Sequence, residues 1–383
     1  MTEKLYDISS YDTEFEAEVV SCKSTEKGYE IVLDRTLFFP EEGGQCCDRG
    51  TLNDAMVTDV QIKDDVIYHL CDKEFNVGDR VNGKIDFTLR FRNMQNHTGE
   101  HIICGIAHKM YGYENVGFHL GEDYVTMDLS GPLTKEQLDE IELLANETIY
   151  KNTVVKAYYP VEAELDGMFY RSKSEIKGKV RIVEIEGCDV CACCAPHVAR
   201  TGEVGIIKIT DSFSHRGGVR ITILCGLDAF MDYRHKFNET LAISNMLSVK
   251  QNEVAKGVKK LTDDMGKLRH EISEKSKAMA SMCVDAMEET EENICIFDAS
   301  LDRDAMRIVA NGGMEKTSGI IAVLSGNDDD GYAYIIGSKT RDLKELSREI
   351  NENLSGRGGG NKTMIQGSFG ECAEKIREYI MNL

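Results

Sequence analysis

The sequence predicts an α+β protein with four parts: a small N-terminal β-barrel, an α+β core, a helical connector and a C-terminal α/β domain. Three observations predict this architecture. Apolar and polar residues alternate in short runs over the first 90 residues, a heptad pattern follows Leu227, and strand-like and helical segments alternate after Asn293. With 383 residues, of which 42% are hydrophobic, the chain is long enough for two or three cores.

Residues 1–90 are predicted to form the barrel. Strand-like alternation occurs at 29–33 (YEIVL) and 57–62 (VTDVQI), and turns containing Gly, Asp and Asn separate the strands. Many short strands closed by such turns are typical of a small barrel.

Residues 91–227 are predicted to form the α+β core. A helix begins near Phe91, and a second helix spans 134–150, where Thr134 can cap its first turn. The enriched face of the first helix contains Met94, His97, His101, Ile102 and Ala107. Strands are predicted, around a cysteine-rich turn, at 153–160, 180–186, 203–210 and 218–224.

Residues 228–290 are predicted to form the helical connector. Apolar or neutral residues recur from Phe230 to Met282 with spacings of three and four, which is the heptad signature of helices packed along a narrow seam. Gly257 and Gly266 each weaken a helix by about 1 kcal/mol relative to alanine. We therefore expect either a bent long helix or two helices folded back as a hairpin.

Residues 291–383 are predicted to form the C-terminal α/β domain. Its predicted strands are at 294–297, 320–324 and 332–336, and its helices include 342–353 and 370–381.

The charge and the cysteine content limit the class of protein. The formal charge of −21 argues against a broad, non-specific nucleic-acid binder but leaves room for a local basic patch. One candidate patch, for which a solvated hairpin is the alternative, contains Arg171, Lys173, Lys177, Lys179 and Arg181, opposed only by Glu175. Since no segment resembles a membrane span or a secretory signal, we expect a cytoplasmic protein that binds no membrane. The 13 cysteines are then expected to be reduced thiols or metal ligands.

Two pairs of metal-binding residue types share a four-residue spacing. His97 and His101 lie on the predicted helix, where positions four apart are stacked one above the other. Cys193 and His197 form the second pair. Together they offer three nitrogens and a thiolate, a ligand set that suits Zn²⁺, and we predict a zinc site formed by these four residues.

The role of this ion is open between two alternatives. Four protein ligands fit a closed structural site, whereas a catalytic site usually keeps one position for water. A catalytic role requires that one ligand yields, that the coordination expands, or that the ion positions the substrate. Cys188, Cys191 and Cys194 are spare thiols that could replace a ligand, and Cys188 and Cys191 have a metal or redox spacing of their own.

Residues 36–45 (TLFFPEEGGQ) are a second candidate site. The proline and the paired glycines bend the backbone sharply and permit close approach to a ligand. The hydroxyl of Thr36 and the amide of Gln45 flank this turn. A simple barrel turn is the alternative.

Residues 355–362 (SGRGGGNK) are a third candidate site. Gly358, Gly359 and Gly360 can expose successive backbone N–H groups to a phosphate, and Arg357 and Lys362 add positive charge. A flexible loop without a ligand is the alternative.

Four segments together resemble the alanyl-tRNA editing family, in particular its long free-standing AlaX-type members, which are related to the editing and C-terminal domains of alanyl-tRNA synthetase. The segments are residues 36–50, 92–103 (RNMQNHTGEHII), 193–205 (CCAPHVARTGEVG) and 354–367 (LSGRGGGNKTMIQG). One departure is Cys194-Ala195-Pro196, which is closer to the editing domain of threonyl-tRNA synthetase. That domain lacks the glycine-rich motif at 40–50, so the alanyl relationship is favoured.

The resemblance implies a trans-editing hydrolase that removes serine, and also glycine, from mischarged tRNA(Ala). It implies that His97, His101, Cys193 and His197 bind zinc within an editing core at 91–227. It also implies that Thr36 senses the seryl hydroxyl and that Gln45 acts in the glycine-rich loop. The domain at 291–383 is then of the DHH-associated type, and we assign tRNA binding to Arg357, Gly358, Gly359, Gly360 and Lys362. Because a synthetase pocket separates small side chains poorly, a second hydrolytic site must supply the remaining accuracy.

Two other functions are compatible with the residues. The first is a non-catalytic tRNA-binding or assembly protein with a structural zinc, in which the heptad seam or the C-terminal domain would suit a homodimer or a grip on the tRNA elbow. The second is a redox or metal-handling protein built on the cysteines at 188–194.

Overall fold

A computed structural model describes residues 1–121, 124–172 and 179–383. The chain divides into two compact units, Met1–Glu239 and Thr240–Leu383. The mixture of helices with several sheets confirms the predicted α+β class. Lys173, Glu175 and Lys177 of the candidate basic patch lie outside the described residues. Within the described ranges, no helix is both long and apolar enough to span a bilayer.

The first unit begins with a closed barrel. Its strands are β1 (Glu3–Lys4), β2 (Glu14–Thr25), β3 (Gly28–Leu33), β4 (Arg35–Thr36), β5 (Gly50–Leu52), β6 (Ala55–Lys63), β7 (Val66–Cys71) and β8 (Arg80–Ile85). Six of them close in the order β2-β3-β7-β6-β5-β8, and β1 pairs in parallel with β4. Alternate residues of a strand point to one face, so Ile31, Leu52 and Ile67 fill the interior. The predicted barrel is therefore present, and residues 36–48, which we call the barrel loop, include the connection from β4 to β5.

The rest of the first unit is a helical and sheet core. Its helices are α1 (Phe87–Tyr111), α2 (Lys135–Lys151) and the short α3 (Glu162–Leu165). Its strands are β9 (Asn115–Leu120), β10 (Val125–Leu129), β11 (Val155–Tyr158), β12 (Ile182–Ile185), β13 (Asp189–Ala192), β14 (Ile207–His215) and β15 (Gly218–Cys225). They form a four-stranded sheet, β14-β15-β10-β9, and a three-stranded sheet, β11-β12-β13. The strand predicted at 203–210 begins later, because Thr201–Val204 form a 3-10 turn that ends at Gly205 with φ of 82°.

Helix α1 is the element that positions the site. Asp86 caps it by accepting hydrogen bonds from the backbone N–H groups of Thr88 and Leu89, and Gly112 ends it in the left-handed region with φ of 70°. The helix packs against α2, β9, β13 and β15. Residues 96–107 are consequently buried on every face, including the polar side chains at 96–98 and 100–101.

The second unit starts within the connector. Its remaining elements are α4 (Gly226–Leu247, which starts in the first unit), α5 (Val254–Asp285), β16 (Ile294–Phe297), α6 (Arg303–Lys316), β17 (Ile321–Asn327), β18 (Gly331–Gly337), α7 (Leu343–Asn353), β19 (Arg357–Gly360), β20 (Met364–Phe369) and α8 (Ala373–Met381). The five strands form one sheet in the order β16-β17-β18-β20-β19. The C-terminal part of α5 packs on α6, where Ser276 and Ala280 are buried.

The connector is formed by two helices, and the break is not at a glycine. Gly257 and Gly266 both lie inside the 32-residue helix α5. The chain breaks at Ser248, whose φ of 53° is left-handed, and the Ser244 hydroxyl donates to the Val249 carbonyl at 2.6 Å across the turn. The expectation relied on the low helix propensity of glycine. The break instead accompanies a local hydrogen bond from a side chain to the backbone.

Candidate metal centre

The four predicted ligands lie together. His97 and His101 are on α1, and Cys193 and His197 follow β13. The Sγ atom of Cys193 is 3.5 Å from Nε2 of His97 and 3.4 Å from Nε2 of His197, and the four ligand atoms all lie within 4.8 Å of one another. Bond lengths of about 2.0 Å to nitrogen and 2.3 Å to sulfur place a nitrogen and a sulfur ligand about 3.5 Å apart, and two nitrogen ligands about 3.3 Å apart, around a tetrahedral zinc ion. The donor set and its spacing therefore fit zinc.

Each histidine is held by a partner on its other nitrogen. The Nδ1 atoms lie at hydrogen-bonding distance from the Gln45 amide oxygen (His97, 2.7 Å), the Asp189 carboxylate (His101, 3.0 Å) and the Thr98 hydroxyl (His197, 3.0 Å). An amide or carboxylate oxygen can only accept a hydrogen bond, so Nδ1 carries the proton in the first two rings. In a neutral ring the Nε2 lone pair is then left for a metal ion, which is the usual arrangement of histidine ligands in proteins.

The charges around the cluster favour a thiolate at Cys193, but they favour a protonated ring at His101, whose pKa is raised well above its usual range because burial is outweighed by the hydrogen bond to Asp189. Burial disfavours the Cys193 thiolate, but the neighbouring imidazoles of His97 and His197 outweigh burial and hold the pKa of this thiol well below its usual range. Burial lowers the pKa of His197 to about 3, so that this ring is neutral. A thiolate and neutral imidazoles are the forms that coordinate metal ions, so a metal ion would have to displace the Nε2 proton of His101.

Asp189 is anchored by a buried arginine. Burial alone would raise the pKa of this carboxyl, but hydrogen bonds from His101 and Arg171 outweigh burial and lower the pKa to about 2. Arg171 donates from Nε and Nη2 to the two carboxylate oxygens at 2.7 and 2.8 Å. The carboxylate is thus fixed in the orientation that holds His101.

The arginines of the candidate basic patch are therefore not exposed. Arg171 is paired with Asp189, and Arg181 donates to the Ala195 carbonyl at 2.8 Å and lies 3.4 Å from Asp7. Both side chains are buried. The expectation of a basic patch that includes them is wrong, because their charges face acidic and carbonyl groups inside the protein.

The barrel loop contacts the cluster through Gln45. Gly43 and Gly44 adopt φ of 63° and 85°, and a Cβ atom on Gly44 would lie 2.4 Å from the Phe118 carbonyl oxygen. The glycines thus allow the loop to approach strand β9, and the N–H of Leu120 donates to the Gly44 carbonyl at 2.7 Å. Gln45 is fully buried, and within the described residues its Nε2 atom has no hydrogen-bond partner.

A buried ion pair fixes the loop to α1. Arg90 donates from Nε to the Asp48 carboxylate at 3.0 Å and from Nη2 to the Leu37 carbonyl at 2.6 Å. Asp48 in turn accepts the backbone N–H of Phe39 at 2.6 Å. Both charged side chains are completely buried. The two ends of the loop are therefore tied to one residue of the helix that carries His97.

Thr36 lies inside the barrel. Its hydroxyl oxygen is 2.9 Å from Nε2 of His69 and accepts the backbone N–H of Phe38 at 3.1 Å. The residue is fully buried.

The spare thiols have separate positions. Cys191 forms a second group of potential ligands with His101 and Asp189, whose donor atoms lie within 4.8 Å of one another. Among the described residues, neither Cys188 nor Cys194 belongs to a group of this kind. Because it shares His101 with the first group, and Asp189 already accepts a hydrogen bond from Nδ1 of that ring, this second group adjoins the first one and is not a remote site.

The glycine-rich segment of the second unit is a strand, not a flexible loop. Arg357–Gly360 forms the edge strand β19 and pairs only with β20 within the described sheet. Cβ atoms on Gly358 and Gly360 would lie 2.4 Å from the Gln366 carbonyl oxygen and 2.2 Å from that of Met364. These glycines are therefore needed for strand packing. Lys362 follows the strand, 3.2 Å from Asp342.

The predicted ligand set did not include the residues that support it. Asp189 and Thr98 form hydrogen bonds with ligand histidines, and Arg90 and Asp48 fix the barrel loop. None of these four residues lies at a sequence spacing from the ligands that indicates its role. Only proximity in sequence offered a signal, since Thr98 follows His97 and Asp189 lies among the cysteines.

Comparison with known proteins places these features in a family context. Residues 3–89 match the family of tRNA synthetases class II (A), and residues 180–259 match the threonyl and alanyl tRNA synthetase second additional domain. The chain is 28% identical to the alanyl-tRNA editing protein AlaX-L of Pyrococcus horikoshii, over 99% of this chain and all of that protein. The resemblance to the long AlaX-type editing proteins is thus confirmed along the whole chain.

Alanine–tRNA ligases are also similar to the chain. It is 27% identical to the ligase of Methanococcus maripaludis over its full length, and 30% identical to that of Halorubrum lacusprofundi over 88% of its length. The chain spans 43% and 38% of these ligases, respectively. Among solved structures, the C-Ala domain of Aquifex aeolicus alanyl-tRNA synthetase matches 24% of this chain and 85% of that domain at 24% identity, with a TM-score of 0.19.

Proposed function

We propose that this protein is a zinc-dependent hydrolase that edits in trans, deacylating Ser-tRNA(Ala) and, as a second substrate, Gly-tRNA(Ala). Its likeness over the whole chain to a protein named for alanyl-tRNA editing supports the substrate class. The observation that carries the hydrolase assignment is the amide of Gln45, which holds a metal ligand with its oxygen and keeps a buried N–H₂ group without a partner in the described structure.

Gln45 is suited to bind the reacting carbonyl group. A buried donor without a partner costs about 1–3 kcal/mol, and such groups in native structures call for an explanation. An ester carbonyl oxygen would supply the missing acceptor. This oxygen gains negative charge as the ester is attacked, and a preorganised N–H donor stabilises that charge best in a buried site. Gln45 would therefore orient His97 and stabilise the transition state with one side chain.

The metal would be held by His97, His101, Cys193 and His197. Zinc, when bound, supplies Lewis-acid polarisation and positive charge beside the ester. Asp189 and Thr98 keep two of the rings in place, and Arg171 keeps Asp189 ionised. The protein thus provides a rigid set of ligands, which is what positioning of an ester requires.

Thr36 would discriminate among aminoacyl groups. A site that forms a hydrogen bond with the seryl hydroxyl leaves its own polar group without a partner when alanine is bound. The free-energy cost of this unpaired group protects correctly charged tRNA.

The second unit would bind the tRNA. Arg357 is exposed on the edge strand β19, and the outer edge of an edge strand presents backbone N–H groups. Together with Gly358, Gly359, Gly360 and Lys362, it would contact backbone phosphates.

The connector would support a homodimer. The heptad residues of α5 are largely exposed, with Leu261 at 52%, Leu268 at 58% and Ile272 at 66%. An apolar stripe of this period on a long helix is typical of a coiled-coil seam.

The hydrolase and its main alternative, a non-catalytic tRNA-binding protein with a structural zinc, differ in turnover. The closed set of four protein ligands favours the alternative.

The test is serine release from Ser-tRNA(Ala) by the zinc-loaded wild type and by Gln45→Glu, which keeps an oxygen for His97 but loses the N–H₂ donor. We expect a loss of about 100-fold in kcat with unchanged zinc content. The exposed Gln61 provides a matched control, and Gln61→Glu should retain the wild-type rate. Serine release by the wild type no faster than in buffer would refute the hydrolase.

A further inference from the structure

His69 is a buried histidine of the barrel that contacts Thr36. It lies on β7, is completely buried, and forms hydrogen bonds through both ring nitrogens. Nδ1 is 3.1 Å from the Ile31 carbonyl oxygen, and Nε2 is 2.9 Å from the Thr36 hydroxyl oxygen. The Phe38 ring packs edge-on against the imidazole, with ring centroids 5.5 Å apart. Its neighbours therefore hold the ring in one orientation.

These contacts fix the tautomer of the ring. A carbonyl oxygen accepts but cannot donate, so the proton must be on Nδ1. Burial lowers the pKa of His69 to about 4, which keeps the imidazole neutral at physiological pH. Nε2 then carries a lone pair and no proton. The hydrogen bond between His69 and Thr36 must consequently be donated by the Thr36 hydroxyl.

The capacity of Thr36 for further hydrogen bonds follows from this direction. A hydroxyl group has one proton to donate and two lone pairs to accept with. The proton goes to His69, and one lone pair accepts the N–H of Phe38. Only a single lone pair remains. A third partner of Thr36 must therefore be a donor.

We infer that His69 is a positioning residue that makes Thr36 an acceptor only, so that the pocket selects an aminoacyl group whose side chain donates a hydrogen bond. Serine has such a hydroxyl, whereas glycine and alanine have none. The inference rests on the proposed function, in which Thr36 faces the aminoacyl group. It goes further by ranking the two candidate substrates: serine is the preferred one, and glycine lacks the group that Thr36 recognises.

The test compares kcat/KM for Ser-tRNA(Ala), Gly-tRNA(Ala) and Ala-tRNA(Ala) in the wild type and in His69→Phe. The phenyl ring keeps the packing against Phe38 but no longer holds the Thr36 hydroxyl, so its free lone pair is no longer kept toward a donor. We expect the serine-to-glycine ratio to fall by about 2- to 13-fold, the value of one neutral hydrogen bond. A merely structural role would lower all three rates together and leave the ratio unchanged. His270→Phe, at an exposed histidine of α5, is the matched control and should keep the wild-type ratio.

A double-mutant cycle shows whether His69 acts through Thr36. Thr36→Val should lower the serine-to-glycine ratio, and adding His69→Phe to that variant should lower it no further, because coupled residues are not additive. An unchanged ratio in an active His69→Phe protein, or an additive loss in the double variant, would overturn the inference. A wild type that hydrolyses none of the three esters would instead refute the proposed function.

The wild-type protein offers a measurement that does not depend on a folded variant. In ¹⁵N-histidine-labelled protein, His69 can be identified by its contacts with Phe38. We expect a neutral ring with the proton on Nδ1 between pH 5.5 and 8. A proton on Nε2, or a charged ring in this range, would overturn the inference, because Thr36 could then donate to its ligand.

Discussion

Asp189→Asn tests how the metal centre is held together. The carboxylate accepts three hydrogen bonds, one from Nδ1 of His101 at 3.0 Å and two from Arg171 at 2.7 and 2.8 Å. Asparagine has the same shape but only one acceptor oxygen. If this oxygen faces His101, the new N–H₂ group points toward a donor of Arg171, and the reverse orientation opposes His101.

The structure sets the size of the effect. Asp189 and Arg171 are both buried, and each residue is only 6% exposed. Removing one partner of a buried ion pair costs about 3–5 kcal/mol, because the other charge is left without compensation. Loss of a residue that orients a metal ligand lowers metal affinity about 10- to 100-fold. We therefore expect Asp189→Asn to lose stability and zinc affinity together.

Two measurements check this expectation. Urea denaturation of the zinc-free protein gives the loss in free energy of unfolding, and competition with a chelator gives the zinc affinity. Asp211→Asn, at an exposed aspartate of β14, is the matched control and should change neither quantity. A zinc affinity within twofold of the wild type would refute the argument that Asp189 holds His101 for the metal.

Three further predictions concern other parts of the chain. The pKa of His69 is lowered to about 4 in the folded state, so the unfolded chain takes up a proton first as the pH falls below 6.5. Between pH 6.5 and 4, urea denaturation should therefore show that the free energy of unfolding of the wild type falls by about 3 kcal/mol more than that of His69→Phe. Equal losses in the two proteins would contradict this prediction. Gly360→Ala should destabilise the protein by about 1–3 kcal/mol because its Cβ atom would meet the Met364 carbonyl at 2.2 Å, whereas Gly359→Ala, which meets nothing within 4 Å, should melt close to the wild type. Light scattering should find a dimer for the wild type and a monomer for Leu268→Glu, and a monomeric wild type would exclude the proposed seam.

The sequence predicted the parts of the structure that follow from periodicity and spacing. The barrel strands alternate with period two, and His97 and His101 are one helical turn apart, so each pattern is local. The partners of the ligands come from distant elements, as Gln45 and Asp189 do, and no local pattern relates them to the histidines. The break at Ser248 was missed for a different reason, because one hydrogen bond from Ser244 decided it. Arg171 and Arg181 resembled surface residues, since sequence does not show that Arg171 faces a buried carboxylate or that Arg181 donates to a backbone carbonyl inside the protein.

The attachment of the barrel loop to α1 limits how this site can change in evolution. Arg90 holds both ends of the loop, and His97, seven residues further along the same helix, holds Gln45. Seven residues of α-helix span about 10 Å, a distance that the helix keeps constant. An insertion or deletion between Thr36 and Asp48 would move Gln45 away from His97, because Arg90 fixes the ends of the loop. Natural variation in length should therefore accumulate in turns away from α1, such as that between β14 and β15, while the barrel loop keeps its residue count.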